Sequence, residues 1–445
     1  MASLSKAAQI DLEQISSHVQ QELHEIPKGQ EDGTLFNHFQ AYFKKYTLDV
    51  KAIARMESSQ EQEGMNYTPS NKMDYLLYIF PKFKIPMMAV KSVYKDSVRI
   101  AWTHHLIHHM IVYAGLCLDD EKTLSMDSNW LDINSQYFVD HVNKDYNGNA
   151  GIGPELESFS TILPEKDISI TMPFGFSNSI VQALPLHDVK NKVQFKLGFR
   201  LEISKLLRMQ ELNHDTGEWR NISVITSYLE GVNEATKVPL PKIMARYALQ
   251  NKQIKDHFKK EEKVRELFLL DLCSISSSND IDFGKQIDIP LECAFPCRGI
   301  FYTAQNVTAV ENNYYANYTT NANDHTMGSD PVKKISIYYA GIERESGLDE
   351  IDIKMLTYNE LPDDPIDVGY HAFSNAFNMK TVDHDTGIIY LTNNARLRLH
   401  IRDRKPGEPK TKFNIQIKLL IDKKLMHDCK NGKLLVEEWH TSTVA

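Results

Sequence analysis

Four histidines lie close together in the first half of the chain, at His104, His105, His108 and His109. Histidines four positions apart, such as His104 and His108, share one face of an α-helix and can bind Zn²⁺ through their imidazole nitrogens. The residues around them are apolar and β-branched, which indicates a strand and would place the histidines on both of its faces. We therefore predict a packed or interfacial histidine cluster and no bound metal, with His104 and His108 as the candidate ligands if a metal does bind.

Patterns typical of catalysis or nucleotide binding are missing from the sequence. It contains no Gly-Lys-Ser/Thr phosphate-binding loop and no Gly-x-Ser-x-Gly turn. Cys293 and Cys297 lack the second pair of ligands typical of a zinc site, so we interpret them as two buried free thiols. Asp383-His384-Asp385 could bind calcium, but hydrogen bonds within a turn explain the same residues. We predict that the protein is not an enzyme and uses no cofactor.

The composition is ordinary for a soluble globular protein. The 445 residues are 42% hydrophobic and 24% charged, and this length allows two or three domains. Aromatic residues make up 10% of the chain, which favours strands over helices. The net charge of −9 argues against a nucleic-acid-binding surface, because phosphate binding needs clustered Lys and Arg.

Cysteine content and the N-terminus indicate where the chain is made. The five cysteines are few, odd in number and scattered, which indicates a reducing compartment without a disulfide framework. No apolar run approaches the roughly 20 residues of a membrane-spanning helix, and residues 1–25 have no apolar signal-peptide core. We expect synthesis and assembly in the cytosol.

Two segments near the C-terminus alternate between apolar and polar residues, as strands with one buried face do. They span residues 395–402 and 413–419, and the Pro- and Gly-containing segment Asp403–Lys410 between them favours a long hairpin connection. The predicted outward residues of the second segment are Asn414, Gln416 and Lys418. The predicted buried residues are Ala395, Leu397, Leu399, Ile401, Phe413, Ile415, Ile417 and Leu419.

Similar patterns along the chain predict an all-β protein of two consecutive, eight-stranded antiparallel jelly-roll sandwiches. The first covers residues 34–237 and the second residues 267–445. Residues 1–33 are predicted to be an N-terminal arm with an amphipathic helix. This helix could dock on its own domain, or the arm could extend to contact a neighbour. The charged segment 238–266 is predicted to be a connector with one helix, because apolar residues occur there at helical spacing: Ile243, Tyr247, Ile254 and Phe258.

Several short motifs occur in a common order and spacing over about four hundred residues. Together they resemble the double jelly-roll major capsid proteins of nucleocytoplasmic large DNA viruses. The segments that carry the resemblance are Thr34–Thr47, Leu106–Ile133, Ala183–Leu186, Val193–Phe199, Ile289–Tyr302, Asn313–Tyr318, Gly341–Arg344 and Thr386–Gly387.

The resemblance implies a structural protein of the virion that is assembled in the host cytoplasm. Its expected unit is a homotrimeric, pseudo-hexagonal capsomer that tiles an icosahedral shell. Implied partners are other copies of the chain, minor capsid and penton proteins and, through the N-terminal arm, an internal membrane, without direct contact to nucleic acid. The alternatives are a jelly-roll carbohydrate-binding protein, a sandwich glycosidase or a minor capsid component.

The Tyr- and Asn-rich segment of residues 306–327 is our candidate for an oligomer contact. Its aromatic residues Tyr314, Tyr315 and Tyr318 could contact a neighbouring subunit or form an exposed tower. Replacing them with serine without loss of the trimer would exclude the contact.

Overall fold

The computed structural model describes residues 48–436, apart from short gaps. The predicted N-terminal arm, the Asp383–Asp385 turn and the Thr34–Thr47 motif lie outside the described residues. The gaps are residues 62–63, 71, 140–143, 179–181, 188, 251–263, 350, 353–354, 356–359, 377–378, 380–386, 392–393 and 429–430.

The first half of the described chain is built from short antiparallel strands. Their bounds, in chain order, are β1 Leu48–Arg55, β2 Glu57–Glu61, β3 Gly64–Thr68, β4 Tyr75–Ile85, β5 Met88–Ala89, β6 Val98–Trp102, β7 Ile111–Leu118, β8 Glu121–Asp127, β9 Ile162–Leu163, β10 Lys166–Ser169, β11 Leu184–Pro185, β12 Val193–Phe199, β13 Leu207–Asn213, β14 Glu218–Ile222 and β15 Lys242–Gln250.

The second half contains longer strands, of which two run for more than fifteen residues. They are β16 Val264–Ile281, β17 Gln286–Pro290, β18 Cys297–Asn306, β19 Val332–Tyr339, β20 Ile342–Leu348, β21 Tyr370–Ser374, β22 Arg396–Ile401, β23 Phe413–Asp428 and β24 Lys433–Val436.

The two halves repeat one pairing scheme. One sheet of the first half has the order β1-β15-β4-β10, and the facing sheet contains β3-β12-β7-β8. The second half has β16-β23-β18-β21 and β17-β22-β19-β20. Among the strands in these four orders, the first along each half pairs with the last, and the second with the one before the last. This is the nested pairing of a jelly roll. The predicted double jelly roll is confirmed.

Short helices fill the connections between strands. They are α1 Leu106–Met110, α2 Ser128–Tyr137, α3 Lys144–Ala150, α4 Pro154–Glu157, α5 Ile203–Leu206 and α6 Val307–Glu311. Within the described ranges, no helix has both the length and the apolar content needed to cross a bilayer.

The hydrophobic core continues from one jelly roll into the other. One cluster joins residues of the first jelly roll to residues such as Leu269, Phe301 and Leu420 of the second, and a further cluster lies within the second. Phe301 is fully buried, with its ring 5.4 Å from that of Trp130 and 5.5 Å from that of Tyr137. Contacts of this kind join the two sandwiches into one packed unit.

Alternation in β22 and β23 is present as predicted, but their connection differs. Leu397, Leu399 and Ile401 are buried, and their neighbours in β22 are partly exposed. The predicted hairpin is wrong, because β22 pairs with β17 and β19 whereas β23 pairs with β16 and β18 in the opposite sheet. The Pro/Gly segment therefore crosses from one sheet of the sandwich to the other.

The predicted helical connector also needs correction where the structure describes it. Ile243 and Tyr247, which were placed in a helix by their spacing, lie in β15 and are buried. This strand pairs with both β1 and β4, and those hydrogen bonds outweigh the local helical pattern. Ile254 and Phe258 lie outside the described residues.

Candidate functional site

The four histidines lie where the two jelly rolls meet, and the local structure differs from the predicted strand. β6 ends at Trp102, and His105 then adopts a left-handed conformation with φ 51° at the N-cap of α1. The helix runs from Leu106 to Met110, and all four histidines are buried. Tertiary contacts to the next helix hold this single turn of helix, which is too short to be stable alone.

Asp132 in α2 is the centre of the cluster. Its side chain is fully buried, and Oδ1 lies 3.1 Å from Nδ1 of His105 and 2.8 Å from Nδ1 of His108. Oδ2 lies 3.0 Å from Nε2 of His109 and accepts a 2.9 Å hydrogen bond from the hydroxyl of Tyr318. One carboxylate therefore connects three histidines of the first jelly roll to a tyrosine of the second.

His104 lies near two other carboxylates, those of Glu157 and Asp367. Nδ1 of His104 lies 3.0 Å from Glu157, and Nε2 lies 3.9 Å from Asp367 of the second jelly roll. Burial lowers the pKa of His104, but the charge of Glu157 and hydrogen bonds with Asp367 and Glu157 outweigh this effect and raise the pKa to about 9. The predicted pair His104 and His108 therefore does not share a ligand position.

The carboxylates of the cluster stay ionised. Burial raises the pKa of Glu157, but the charge of His104 and hydrogen bonds from His104 and the His105 backbone lower it to about 2. Burial also raises the pKa of Asp367, but the interaction with His104 outweighs burial and lowers this pKa below its ordinary value. The pKa of Asp132 is also held well below its ordinary value by His109, His105 and His108, against the effect of burial.

Three neighbouring histidines have pKa values shifted in the opposite direction to that of His104. Burial lowers the pKa of His108 to about 4, although Asp132 opposes the shift. His109 is shifted in the same direction by burial. His325, from the second jelly roll, stacks on His104 at 4.6 Å, and burial together with the charge of His104 lowers the pKa of His325 to about 4. The site thus places His104, whose pKa is raised, beside histidines whose pKa is lowered, around buried carboxylates.

The Tyr- and Asn-rich segment forms the second-jelly-roll side of this site. Tyr314 and Tyr318 are buried within the chain, and Tyr315 is half-buried. Tyr318 contacts Asp132, whereas the guanidinium of Arg208 lies 4.3 Å from the ring centre of Tyr314. An inter-subunit contact or exposed tower through Tyr314 and Tyr318 is therefore wrong, because the segment docks on the first jelly roll of its own chain.

Asn313 anchors this segment. Its side-chain amide donates to the carbonyls of Ser204, at 2.8 Å, and Leu207, at 2.7 Å, and its own carbonyl accepts a 2.6 Å hydrogen bond from Thr103. The backbone of Asn313 has φ 60°, a left-handed conformation that asparagine tolerates well. Three hydrogen bonds from one residue thus join the two jelly rolls next to the histidine cluster.

The outer face of β23 is covered as well. Lys418, predicted to point to solvent, is buried and pairs with Asp127 of the first jelly roll. Lys423 donates to the Thr123 carbonyl at 2.6 Å and to Asp271 at 2.7 Å. These two lysines of β23 therefore contact the first jelly roll instead of water.

Sequence reasoning found the histidines but not their partners. Asp132, Glu157 and Asp367 are far in sequence from His104, and no local pattern distinguishes them from surface residues. The available signal was the position of Asp132 in Leu106–Ile133, one of the segments that carry the resemblance to capsid proteins. Cys293 and Cys297 are free thiols, as predicted, and Cys297 is buried whereas Cys293 is partly exposed.

Sequence relatives of the chain are viral coat proteins. No family model matches the sequence. The chain is 22% identical over 347 residues to the major capsid protein of Frog virus 3 (isolate Goorha), a match that covers 73% of this chain and 72% of that protein. It is 27% identical over 146 residues to the major capsid protein of Invertebrate iridescent virus 6, covering 29% of this chain and 31% of that protein.

Solved structures share the fold over most of the chain. A chain of the quasi-atomic PBCV-1 virus capsid matches with a TM-score of 0.66 and 12% identity, covering 87% of this chain and 97% of the other. The Faustovirus major capsid protein matches with a TM-score of 0.64 and 7% identity, covering 84% and 90%. These findings confirm the resemblance to double jelly-roll major capsid proteins, and the relatives agree with a structural rather than an enzymatic protein.

Proposed function

We propose that this relative of the double jelly-roll major capsid proteins forms homotrimeric, pseudo-hexagonal capsomers that tile an icosahedral virus shell. The observation that carries the proposal is the repeated pairing scheme: each chain holds two jelly rolls of the same strand order. Three chains about one axis place six similar sandwiches in a ring, which gives a threefold assembly a nearly hexagonal outline.

The contacts between the jelly rolls support this role. A capsomer keeps its outline only if the two sandwiches of each chain hold a constant orientation. The shared hydrophobic core, the Asp132–Tyr318 hydrogen bond and the Asn313 anchor all act between them. Buried polar networks of this kind favour one arrangement over others, because every alternative leaves charged groups unpaired.

The surface supplies apolar side chains for contacts between copies. Obligate interfaces are richer in apolar and aromatic residues than the rest of a protein surface. Tyr315, which is half-buried, remains our contact candidate from the Tyr-rich segment. Strongly exposed apolar residues add further candidates, namely Val93, Met327, Ile351 and Met355.

The same proposal assigns the partners and location. We place the protein in the virion shell, with assembly in the host cytoplasm. Its partners are neighbouring capsomers and minor capsid and penton proteins, and residues 1–33 reach an internal membrane. The net charge of −9 is consistent with a shell protein that makes no direct contact with nucleic acid.

The solution mass tests the assembly. Light scattering on the purified chain should give three times the 51.1 kDa of one copy, and negative-stain images of the same peak should show hexagonal outlines. A folded monomer at every salt and protein concentration would contradict the proposal and favour the carbohydrate-binding alternative, which a glycan screen would then test.

Tyr315 can be tested in the same assay. If it lies in the trimer interface, Tyr315→Ser should shift the mass towards the monomer. Tyr390→Ser is the matched control, because Tyr390 is an exposed tyrosine outside the segment. Equal trimer content in both variants would remove Tyr315 from the interface.

A further inference from the structure

The residues around Asp132 have the geometry of a metal site. His105, His108 and His109 occupy positions i, i+3 and i+4 of one helical turn, so their rings lie on one face of α1. That face meets Asp132 in α2. The Nδ1 atoms of His105 and His108 and a carboxylate oxygen of Asp132 all lie within 4.8 Å of one another. The strand prediction, which argued against shared ligation, does not hold here.

We propose that His105, His108 and Asp132 bind one divalent transition-metal ion of the zinc type between the two jelly rolls. His109 lies against the other oxygen of Asp132, outside this group of three, and turns its ring to become the fourth donor. Three imidazole nitrogens and a carboxylate oxygen are a donor set that Zn²⁺ takes in tetrahedral sites. Neighbouring ligand atoms around tetrahedral zinc lie about 3.3 Å apart. Oδ1 of Asp132 lies 3.1 Å from Nδ1 of His105 and 2.8 Å from Nδ1 of His108, so small rotations of these three side chains open room for the ion.

The surrounding groups are those that orient metal ligands. Ligating histidines normally use their second nitrogen in a hydrogen bond, and ligating carboxylates are themselves hydrogen-bonded. Nε2 of His108 lies 3.1 Å from the hydroxyl oxygen of Tyr146, which can accept a hydrogen bond from Nε2–H when Nδ1 binds metal. Tyr318 donates to Oδ2 of Asp132. Tyr146 therefore holds α1 through Nε2 of His108, and Tyr318 holds α2 through Oδ2 of Asp132. Nδ1 of His108 and Oδ1 of Asp132 remain for the metal.

Hydrogen bonds alone leave part of this cluster unsatisfied. Nε2 of His109 lies 3.0 Å from Oδ2 of Asp132, but it is not aligned for a hydrogen bond and is buried without one. An unsatisfied buried nitrogen is destabilising. A cation beside the carboxylate gives this nitrogen a partner. It also offsets the negative charge of a carboxylate that is fully buried.

Burial determines how the experiment is done. His108 and Asp132 are inaccessible to solvent, so the ion must enter while the chain folds. Tag-free protein is produced in zinc-supplemented medium, and a second sample is unfolded and refolded with zinc or with a chelator. We expect one zinc per chain by elemental analysis after extensive dialysis. Zinc-free wild-type protein after both treatments would overturn the proposal.

Two conservative variants and one control locate the site. His108→Gln and Asp132→Asn keep the side-chain size but should lower zinc affinity at least about tenfold. His214→Gln, at an exposed position in the β13–β14 turn, should keep full zinc content. Zinc retained in folded His108→Gln at the wild-type level would contradict the assignment.

X-ray absorption on the wild-type protein does not depend on the folding of any variant. The zinc edge should show a shell of nitrogen and oxygen atoms at about 2.0–2.1 Å. Sulfur scattering at about 2.3 Å would place the ion among the cysteines instead and overturn the histidine site.

Discussion

The hydroxyl of Tyr318 in the second jelly roll donates a 2.9 Å hydrogen bond to the fully buried carboxylate of Asp132 in the first. The same hydroxyl accepts a 3.2 Å hydrogen bond from the side-chain amide of Asn129. One tyrosine therefore connects the packing of the two sandwiches to the ionisation of the histidine cluster. Any change that separates the sandwiches leaves these groups buried without partners.

Tyr318→Phe should destabilise the protein while preserving the fold. The variant keeps the buried ring but removes a donor from Asp132, and loss of a hydrogen bond to a charged group costs about 1.5–3 kcal/mol. Urea unfolding measures the change in the free energy of unfolding. Tyr390→Phe, at an exposed position, should change it by less than about 0.5 kcal/mol. Equal stability of the two variants would contradict the role of Tyr318.

Asn313→Ala should weaken the attachment of the Tyr-rich segment. The variant loses both side-chain hydrogen bonds to the first jelly roll and places alanine at φ 60°. We expect a loss of about 2–4 kcal/mol in the free energy of unfolding. Asn313→Gly removes the same hydrogen bonds without the backbone strain, so it should be less destabilising than alanine. A neutral Asn313→Ala variant would show that this anchor does not hold the segment.

Gly175→Ala should disturb the contact between the sandwiches. A methyl group at this position would clash with the backbone oxygen of Leu270 in the second jelly roll, so the backbones must separate. Overpacking of this kind costs about 1–3 kcal/mol.

Gly148→Ala is the matched control for that change. Gly148 lies in α3, and nothing approaches its added methyl group within 4 Å. Alanine in a helix should stabilise the protein by about 0.5–1 kcal/mol. Thermal unfolding should therefore move in opposite directions for the two variants, and a shift in the same direction would contradict the close approach.

The His104–Glu157 pair should make stability depend on pH. The pKa of His104 is raised from 6.5 to about 9, so its contribution is complete below pH 6.5 and is lost as the pH rises through 9. The pKa of Glu157 is lowered from 4.5 to about 2, so its contribution is complete above pH 4.5 and is lost as the pH falls through 2. Both contributions are therefore complete between pH 4.5 and 6.5. In that range the pair adds at most about 3 kcal/mol to the free energy of unfolding.

Glu157→Gln tests this pH dependence. Melting temperatures between pH 5 and 9 should fall with pH more steeply in the wild type than in the variant, because the variant no longer holds a proton on His104. Glu165→Gln, which breaks an exposed pair with Lys84, should follow the wild-type profile. Parallel profiles of melting temperature against pH for all three proteins would show that the His104–Glu157 pair does not control the pH dependence of stability.

Strand alternation allowed the jelly-roll fold to be predicted, because period-two burial is a local property of residues such as Leu397 and Leu399. The resemblance to capsid proteins supported the expectation of two such jelly rolls in one chain. The packing of one sandwich on the other could not be predicted. For that reason Lys418 was assigned to solvent and Tyr318 to an oligomer contact, although both are buried between the jelly rolls.

The local structure of the histidine segment could not be predicted for the same reason. β-Branched neighbours such as Ile107 favoured a strand, and only the contact with Asp132 in α2 selects a single helical turn. Ile243 and Tyr247 show the reverse error, in which pairing with β4 overrides a helical spacing. In each case a partner distant in sequence decides the local structure.

Cryo-electron microscopy of the purified assembly tests the central claim most directly. The account predicts a threefold particle in which six jelly-roll densities surround the axis, with both sandwiches of each chain fitted in the orientation described above. A particle of another symmetry would contradict the account. So would a threefold particle that fits only when the two jelly rolls of one chain are moved apart.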